Sequence, residues 1–139
     1  MEKIADVTLH EEMSFNVEVN DHKFMIDAVE AAGGKNRGPR PKPLALASLG
    51  GCTGMDVISI LRKMRLEPDY FNISVSADST DEHPKYYNKI HITYSFKGKD
   101  LPMAKLEKAV NLSQERYCGV TAMLNKAAEI THEIKILDE

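Results

Sequence analysis

Cysteine is scarce in this chain: only Cys52 and Cys118 are present, 66 positions apart. A secreted disulfide framework carries more cysteines in a shorter chain, so that class is excluded. The five histidines (His10, His22, His83, His91, His132) show no HxxxH spacing and the cysteines no CxxC spacing, so no contiguous metal motif exists and metal chemistry is disfavoured. Long apolar runs are lacking as well, so no membrane span is expected. Charge of one sign is missing too: 18 Lys plus Arg stand against 21 Asp plus Glu, for a net charge of −3. With no dense basic stretch, a nucleic-acid partner is not expected. The first residues, Met1-Glu2-Lys3-Ile4-Ala5-Asp6, are charged and have no hydrophobic targeting core. The expected setting is therefore cytoplasmic, and two thiols in a reducing compartment are either core filler or redox-active.

What is present reads as one domain over residues 1–139. Met13, Phe15, Val17 and Val19 alternate with polar residues, the pattern of a strand buried on one face. Asn20-Asp21 supplies a tight turn, and residues 23–28 return as the second arm of a hairpin. Ala5, Val7 and Leu9 suggest an earlier strand. Residues 33–43 hold three Gly, three Pro and four basic residues, which predicts a loop and reads most simply as a solvated connection. From residue 44 the pattern turns helical: Cys52, Met55, Ile58, Leu61 and Met64 fall on one stripe that Val57 and Ile60 widen, up to Pro68. Gly50-Gly51 either breaks this segment, starting a new helix at Cys52, or lies inside one long helix.

Two further alternating runs follow, Phe71-Ile73-Val75-Ala77 and Ile90-Ile92-Tyr94-Phe96, around a polar loop at 78–88. Asp100-Leu101-Pro102 opens a helix through Leu112, a second helical stretch carries Cys118 to Ala128, and Ile130, His132, Ile134 and Ile136 mark a last strand. The predicted class is α+β with antiparallel sheets.

Both cysteines sit beside small residues and open apolar helical stripes. A thiol at a helix N-terminus meets unsatisfied N–H groups and a partial positive charge, which favours the reactive thiolate. Buried filler is the commoner role of a free cysteine.

The segment Gly50-Gly51-Cys52-Thr53-Gly54-Met55-Asp56-Val57-Ile58-Ser59-Ile60-Leu61-Arg62-Lys63-Met64-Arg65 resembles the first-cysteine helix of the OsmC/Ohr family, the osmotically inducible and organic-hydroperoxide-resistance proteins. Leu112-Ser113-Gln114-Glu115-Arg116-Tyr117-Cys118-Gly119-Val120-Thr121-Ala122-Met123-Leu124 resembles its second-cysteine helix, and Ile130-Thr131-His132-Glu133-Ile134 its tail. The likeness covers nearly the whole chain and is closest to the broad OsmC-like branch. It implies antiparallel sheets wrapped around central cysteine-bearing helices in an intertwined homodimer, with sites at the interface. It also implies a thiol peroxidase acting in oxidative stress, without metal or organic cofactor. Cys52 would attack an organic or hydrogen peroxide and become a sulfenic acid, Cys118 would resolve it to a disulfide, and a dithiol reductant would reopen the pair.

The family's glutamate, nine or ten positions before the first cysteine, has no counterpart here: those positions are Pro43 and Lys42. No arginine precedes Arg37, so Arg37, Arg40 and Arg116 are the candidates for stabilising a thiolate or contacting substrate. Alternatives stand beside this reading: an OsmC-fold binding protein for a small apolar or electrophilic ligand, or a thiol redox sensor. Of the remaining residues, His132 reads as a hydrogen-bonded structural histidine, Tyr86, Tyr87 and Tyr94 as sheet residues, and Met55, Met64 and Met123 as core. Asp56 reads as part of the helix's polar face, away from the thiol.

Overall fold

The computed structural model describes residues 1–138, in two compact units, Met1–Ala45 and Leu46–Glu139. The first is an antiparallel meander of β1 (Ala5–Leu9), β2 (Phe15–Val19) and β3 (His22–Ile26), with Val7, Val17 and Phe24 in register. Asn20 and Asp21 link β2 to β3 with φ of 50° and 62°, the left-handed pair a two-residue hairpin turn demands and Asn and Asp tolerate.

After a 3₁₀ turn at Glu30–Ala32, the glycine- and proline-rich segment closes back on β3. The carboxylate of Asp27 organises it, accepting the backbone N–H groups of Ala28 (2.8 Å), Lys35 (3.0 Å) and Arg37 (3.1 Å). Burial pushes the Asp27 pKa up, but these three donors outweigh it and the net shift is downward. Gly34 and Gly38 are required here: a methyl at either would overlap the carbonyl of Ala28 or Met25.

The long helix α1 (Pro41–Lys63) starts at Pro41, inside the segment expected to be loop, because proline suits the first helical turn. It passes through Gly50-Gly51 without a break. Gly50 and Gly54 face Ile73 and Val75, so the missing side chains let α1 approach its sheet closely. An 18-residue window of α1 has a mean hydropathy of 1.6, enough by length and composition to cross a membrane, a test that core helices of globular domains also pass.

In the second unit, β4 (Tyr70–Ser79) and β5 (Tyr87–Lys97) are antiparallel, pairing Ile73 with Tyr94 and Phe71 with Phe96. The final strand β6 (Glu129–Ile136) lies on the other side of β5 and runs parallel to it, pairing Ile92 with His132. This departs from the all-antiparallel expectation. The connection from β5 to β6 carries α2 (Met103–Leu112), a π-helical turn (Ser113–Tyr117) and α3 (Gly119–Leu124), long enough for a crossover, which alternation within single strands does not reveal. Leu49, Val57 and Leu61 of α1, Ile92, Tyr94 and Phe96 of β5, and Leu106 and Val110 of α2 form the buried core.

Candidate functional site

The buried stripe of α1 runs through Leu49, Thr53, Val57 and Leu61. Cys52 and Asp56 lie one position ahead of Thr53 and Val57, hence on the flank of that stripe, one turn apart and both half-buried. Cys52 is therefore in the middle of a helix and not at its N-terminus, because Gly50-Gly51 does not break α1.

Cys118 occupies the position expected of the other thiol. The chain leaves the π-helical turn, where the Cys118 N–H donates to Ser113 O at 2.8 Å, and enters an extended conformation (φ −74°, ψ 104°). There Cys118 caps α3, its Sγ accepting the Thr121 N–H at 3.4 Å. The sulfurs of Cys52 and Cys118 and a carboxylate oxygen of Asp56 lie within 4.8 Å of one another. Asp56 thus turns toward the thiols, against the polar-face expectation. The helix start does not acidify Cys118: burial pushes that thiol up, Cys52 adds to the rise, and the Thr121 N–H and hydroxyl only partly offset it.

A buried hydrogen-bond chain ends on Asp56. Thr53 Oγ1 is 2.7 Å from both the Tyr94 hydroxyl and Ser113 Oγ, and Ser113 Oγ donates to Asp56 Oδ2 at 2.9 Å. Gln114 Nε2 donates to Thr53 Oγ1 and to the Tyr94 hydroxyl, each at 3.0 Å, and Gln114 Oε1 accepts from Thr121 Oγ1 at 3.3 Å. Counting donors fixes the direction. Ser113 spends its one proton on Asp56, so Thr53 must donate to Ser113. Tyr94 must then donate to Thr53. The order is Tyr94 to Thr53 to Ser113 to Asp56, with every hydroxyl proton used. Thr53, Tyr94 and Ser113 are fully buried, where such saturation is required. Burial, with the neighbouring Cys118 and Asp56, pushes the Tyr94 pKa up to about 12, only partly offset by its hydrogen bonds with Thr53 and Gln114, so the phenol stays a donor.

His132 points to the same sheet face as Tyr94 and meets its ring edge-on, centroids 6.1 Å apart. Burial pulls the pKa of His132 down, helped by His91 and opposed by Glu115. Arg116 stands over the Tyr117 ring at 5.7 Å. In the first unit, Arg37 donates to Glu12 Oε1 (2.9 Å), Ser14 Oγ (3.1 Å) and Glu11 O (3.3 Å). Arg40 donates to Gly38 O (2.7 Å) and Asn36 Oδ1 (2.6 Å), beside an apolar cavity of about 410 Å³ lined by Phe15, Ile26 and Val29. Met64 packs against the core as expected, but Met55 and Met123 are 74% and 64% exposed, so neither is core within this chain.

Sequence reasoning missed Thr53, Tyr94, Ser113, Gln114 and Thr121 as site residues. Four of them lie inside or beside the two cysteine blocks. The usable signal was proximity to the thiols plus a polar type at a buried helical position.

A sequence model of the OsmC-like protein family matches residues 33–133. Protein YhfA of Escherichia coli K12 is 32% identical over 116 residues, 84% of each chain. A hypothetical protein from Aquifex aeolicus VF5 is 33% identical, its crystal structure superposing with a TM-score of 0.82 over 99% of this chain and 100% of that one. The organic hydroperoxide resistance protein OhrB of Bacillus subtilis, at 24% identity, shares the fold, with a TM-score of 0.61 over 96% of this chain and 98% of its own. The matched family region and the full-length likeness in fold lead to one conclusion: this chain belongs to the OsmC-like family.

Proposed function

We propose that this protein is a thiol peroxidase reducing organic or hydrogen peroxides. The observation that carries the reading is a half-exposed thiol, Cys52, set against a buried one, Cys118, with a carboxylate beside both. Accessibility makes Cys52 the attacking sulfur. Its proton passes to Asp56 as the sulfur attacks the terminal peroxide oxygen. The O–O bond breaks, and the departing alkoxide takes that proton and leaves as alcohol. Cys118 then attacks the Cys52 sulfenic acid. The S–O bond breaks, the Cys118 proton leaves with hydroxide as water, and a disulfide remains. An external dithiol reductant restores both thiols. The sulfurs must close from within 4.8 Å to about 2.05 Å, a movement within reach of side-chain rotation and the short α3. Arg116, two residues before Cys118, is kept as the source of positive charge for the thiolate, and Arg116→Gln should slow the oxidation of Cys52.

The working unit in this reading is a homodimer. Only 22% of the apolar window of α1 is buried by the chain itself, and Met55, Tyr117 and Met123 expose apolar surface close in sequence to the site residues. Sedimentation should give twice the chain mass of 15.6 kDa.

One equivalent of cumene hydroperoxide added to reduced protein should remove two thiols per chain and leave an intramolecular disulfide. Cys118→Ser should stop at a sulfenic acid trapped by dimedone, and Cys52→Ser should not react. Survival of both thiols in unmodified protein overturns the reading. Disulfide formation without turnover, across a set of dithiol reductants, would assign a redox sensor instead.

A further inference from the structure

Cys52, Asp56 and Cys118 offer two sulfurs and one carboxylate oxygen to a single point, all within 4.8 Å. Cys52 and Asp56 are separated by one helical turn, and Cys118 arrives from the start of α3. Contiguous ligand spacing is absent from the sequence, yet the fold builds the set from positions 66 apart. Each of these groups is anionic when ionised, and among the described residues Asp56 has no ion-pair partner. With both thiols deprotonated, the three groups would surround one point with negative charge, which a divalent cation offsets.

We propose that the reduced protein binds one borderline-soft divalent cation of the zinc class through Cys52 Sγ, Cys118 Sγ and Asp56, leaving a fourth position open. The donor set of two thiolates and a carboxylate suits such an ion. Tetrahedral zinc, with bonds of about 2.0–2.3 Å, places its donors about 3.4–3.8 Å apart, so the cluster needs to contract by at most about 1.5 Å. The half-exposed Cys52 and Asp56 leave the open position on the accessible side. A second, independent feature supports the site: Asp56 Oδ2 is oriented by Ser113, itself held through Thr53 and Tyr94. Ligating carboxylates carry outer hydrogen bonds of this kind. Binding displaces one proton from each thiol and forms two metal–sulfur bonds, with no change in oxidation state. Metal binding and the disulfide are then mutually exclusive, since the disulfide consumes both sulfur donors.

Zinc binding at this site requires no peroxide chemistry and is tested without it. Fully reduced, chelator-treated protein is titrated with zinc against a chromophoric chelator, and separately with cobalt. One zinc per chain is expected, with release of about two protons and a near-ultraviolet sulfur-to-cobalt charge-transfer band. Protein with both thiols alkylated should show neither. Asp56→Asn should weaken zinc binding about tenfold or more, and Ser113→Ala should weaken it about tenfold by freeing the carboxylate. If Ser113→Ala fails to fold, as its circular dichroism would show, zinc protection of the wild-type thiols from iodoacetamide decides instead. Absence of the charge-transfer band from the reduced wild type, or equal zinc affinity before and after alkylation, overturns the proposal.

Discussion

Replacing Asp56 with asparagine separates two opposite effects of one carboxylate. As a charge, Asp56 repels a thiolate on Cys52. At the outer separation of 4.8 Å that repulsion is about 0.9 kcal/mol at the dielectric of water and about 3.5 kcal/mol at an effective value of 20. Both groups are half-buried, so screening draws the value toward the lower figure. Removing the charge alone should therefore favour the thiolate and speed its attack on peroxide, by about fourfold at the lower figure. As a proton acceptor, Asp56 does the reverse: losing a positioned base slows a reaction by about 10²–10⁴-fold. Asparagine preserves the shape, and its carbonyl oxygen can still accept from Ser113, so the buried chain keeps its direction. The expected net result at neutral pH is a fall of about 10²-fold or more in the rate of Cys52 oxidation, followed by stopped-flow mixing with cumene hydroperoxide in the Cys118→Ser background. The loss should shrink as pH rises and hydroxide takes over the proton. An unchanged or faster rate at neutral pH would refute the assignment of Asp56 as the base and leave it only a repelling charge.

Thr53→Val strands the hydroxyl proton of Tyr94, an acceptor on Ser113 and an N–H of Gln114, and should destabilise the fold by about 2–3 kcal/mol in urea unfolding. With Tyr94→Phe added, the deficit should be less than the sum of the single changes by about 1 kcal/mol; additivity would mean that the two hydroxyls do not share the inferred bond. Burial holds the Cys118 thiol neutral, so in Cys52→Ser protein its alkylation should stay slow through neutral pH and accelerate only above the ordinary thiol value of 9.0; a half-maximal rate below that value contradicts it. The Asp27 pKa is depressed in the fold, so its stabilisation is present above the ordinary value of 3.8 and is lost as pH falls through the lower folded value. Thermal melts between pH 5 and pH 2 should show wild type losing more stability on acidification than Asp27→Asn, and parallel curves would refute this.

The parts of the fold written in short-range pattern were legible. Period-two alternation located β2, β4, β5 and β6, and Asn20-Asp21 located the hairpin turn, because burial on one sheet face and a left-handed φ both act residue by residue. The parallel placement of β6 was not, since strand direction depends on the path of the intervening crossover. Gly50-Gly51 was ambiguous for a related reason. A helix tolerates glycine where the facing surface rewards close approach, and the surface that Gly50 faces, Ile73 and Val75, is more than twenty residues away, while Gly51 meets nothing within 4 Å. The pairing of the cysteines came from resemblance to a family, whereas no spacing rule joins positions 52 and 118.

The orientation of Asp56 shows why polar residues of the site are harder to read than apolar ones. Helical geometry places it on the flank of the buried stripe, where solvent and a buried polar neighbour are equally good partners. The choice is made by Ser113, which the π-helical turn presents at the end of α2. A regular continuation of α2 would shift every later residue about its axis, carrying Cys118 away from the bond its N–H makes five residues back to Ser113. One extra residue in the turn therefore delivers the second sulfur to a carboxylate that Ser113, at the turn's first position, already holds. A change that regularises the turn should displace the resolving cysteine and leave the bond from Ser113 to Asp56 in place, whereas substitutions within α1 act on the attacking thiol and the carboxylate.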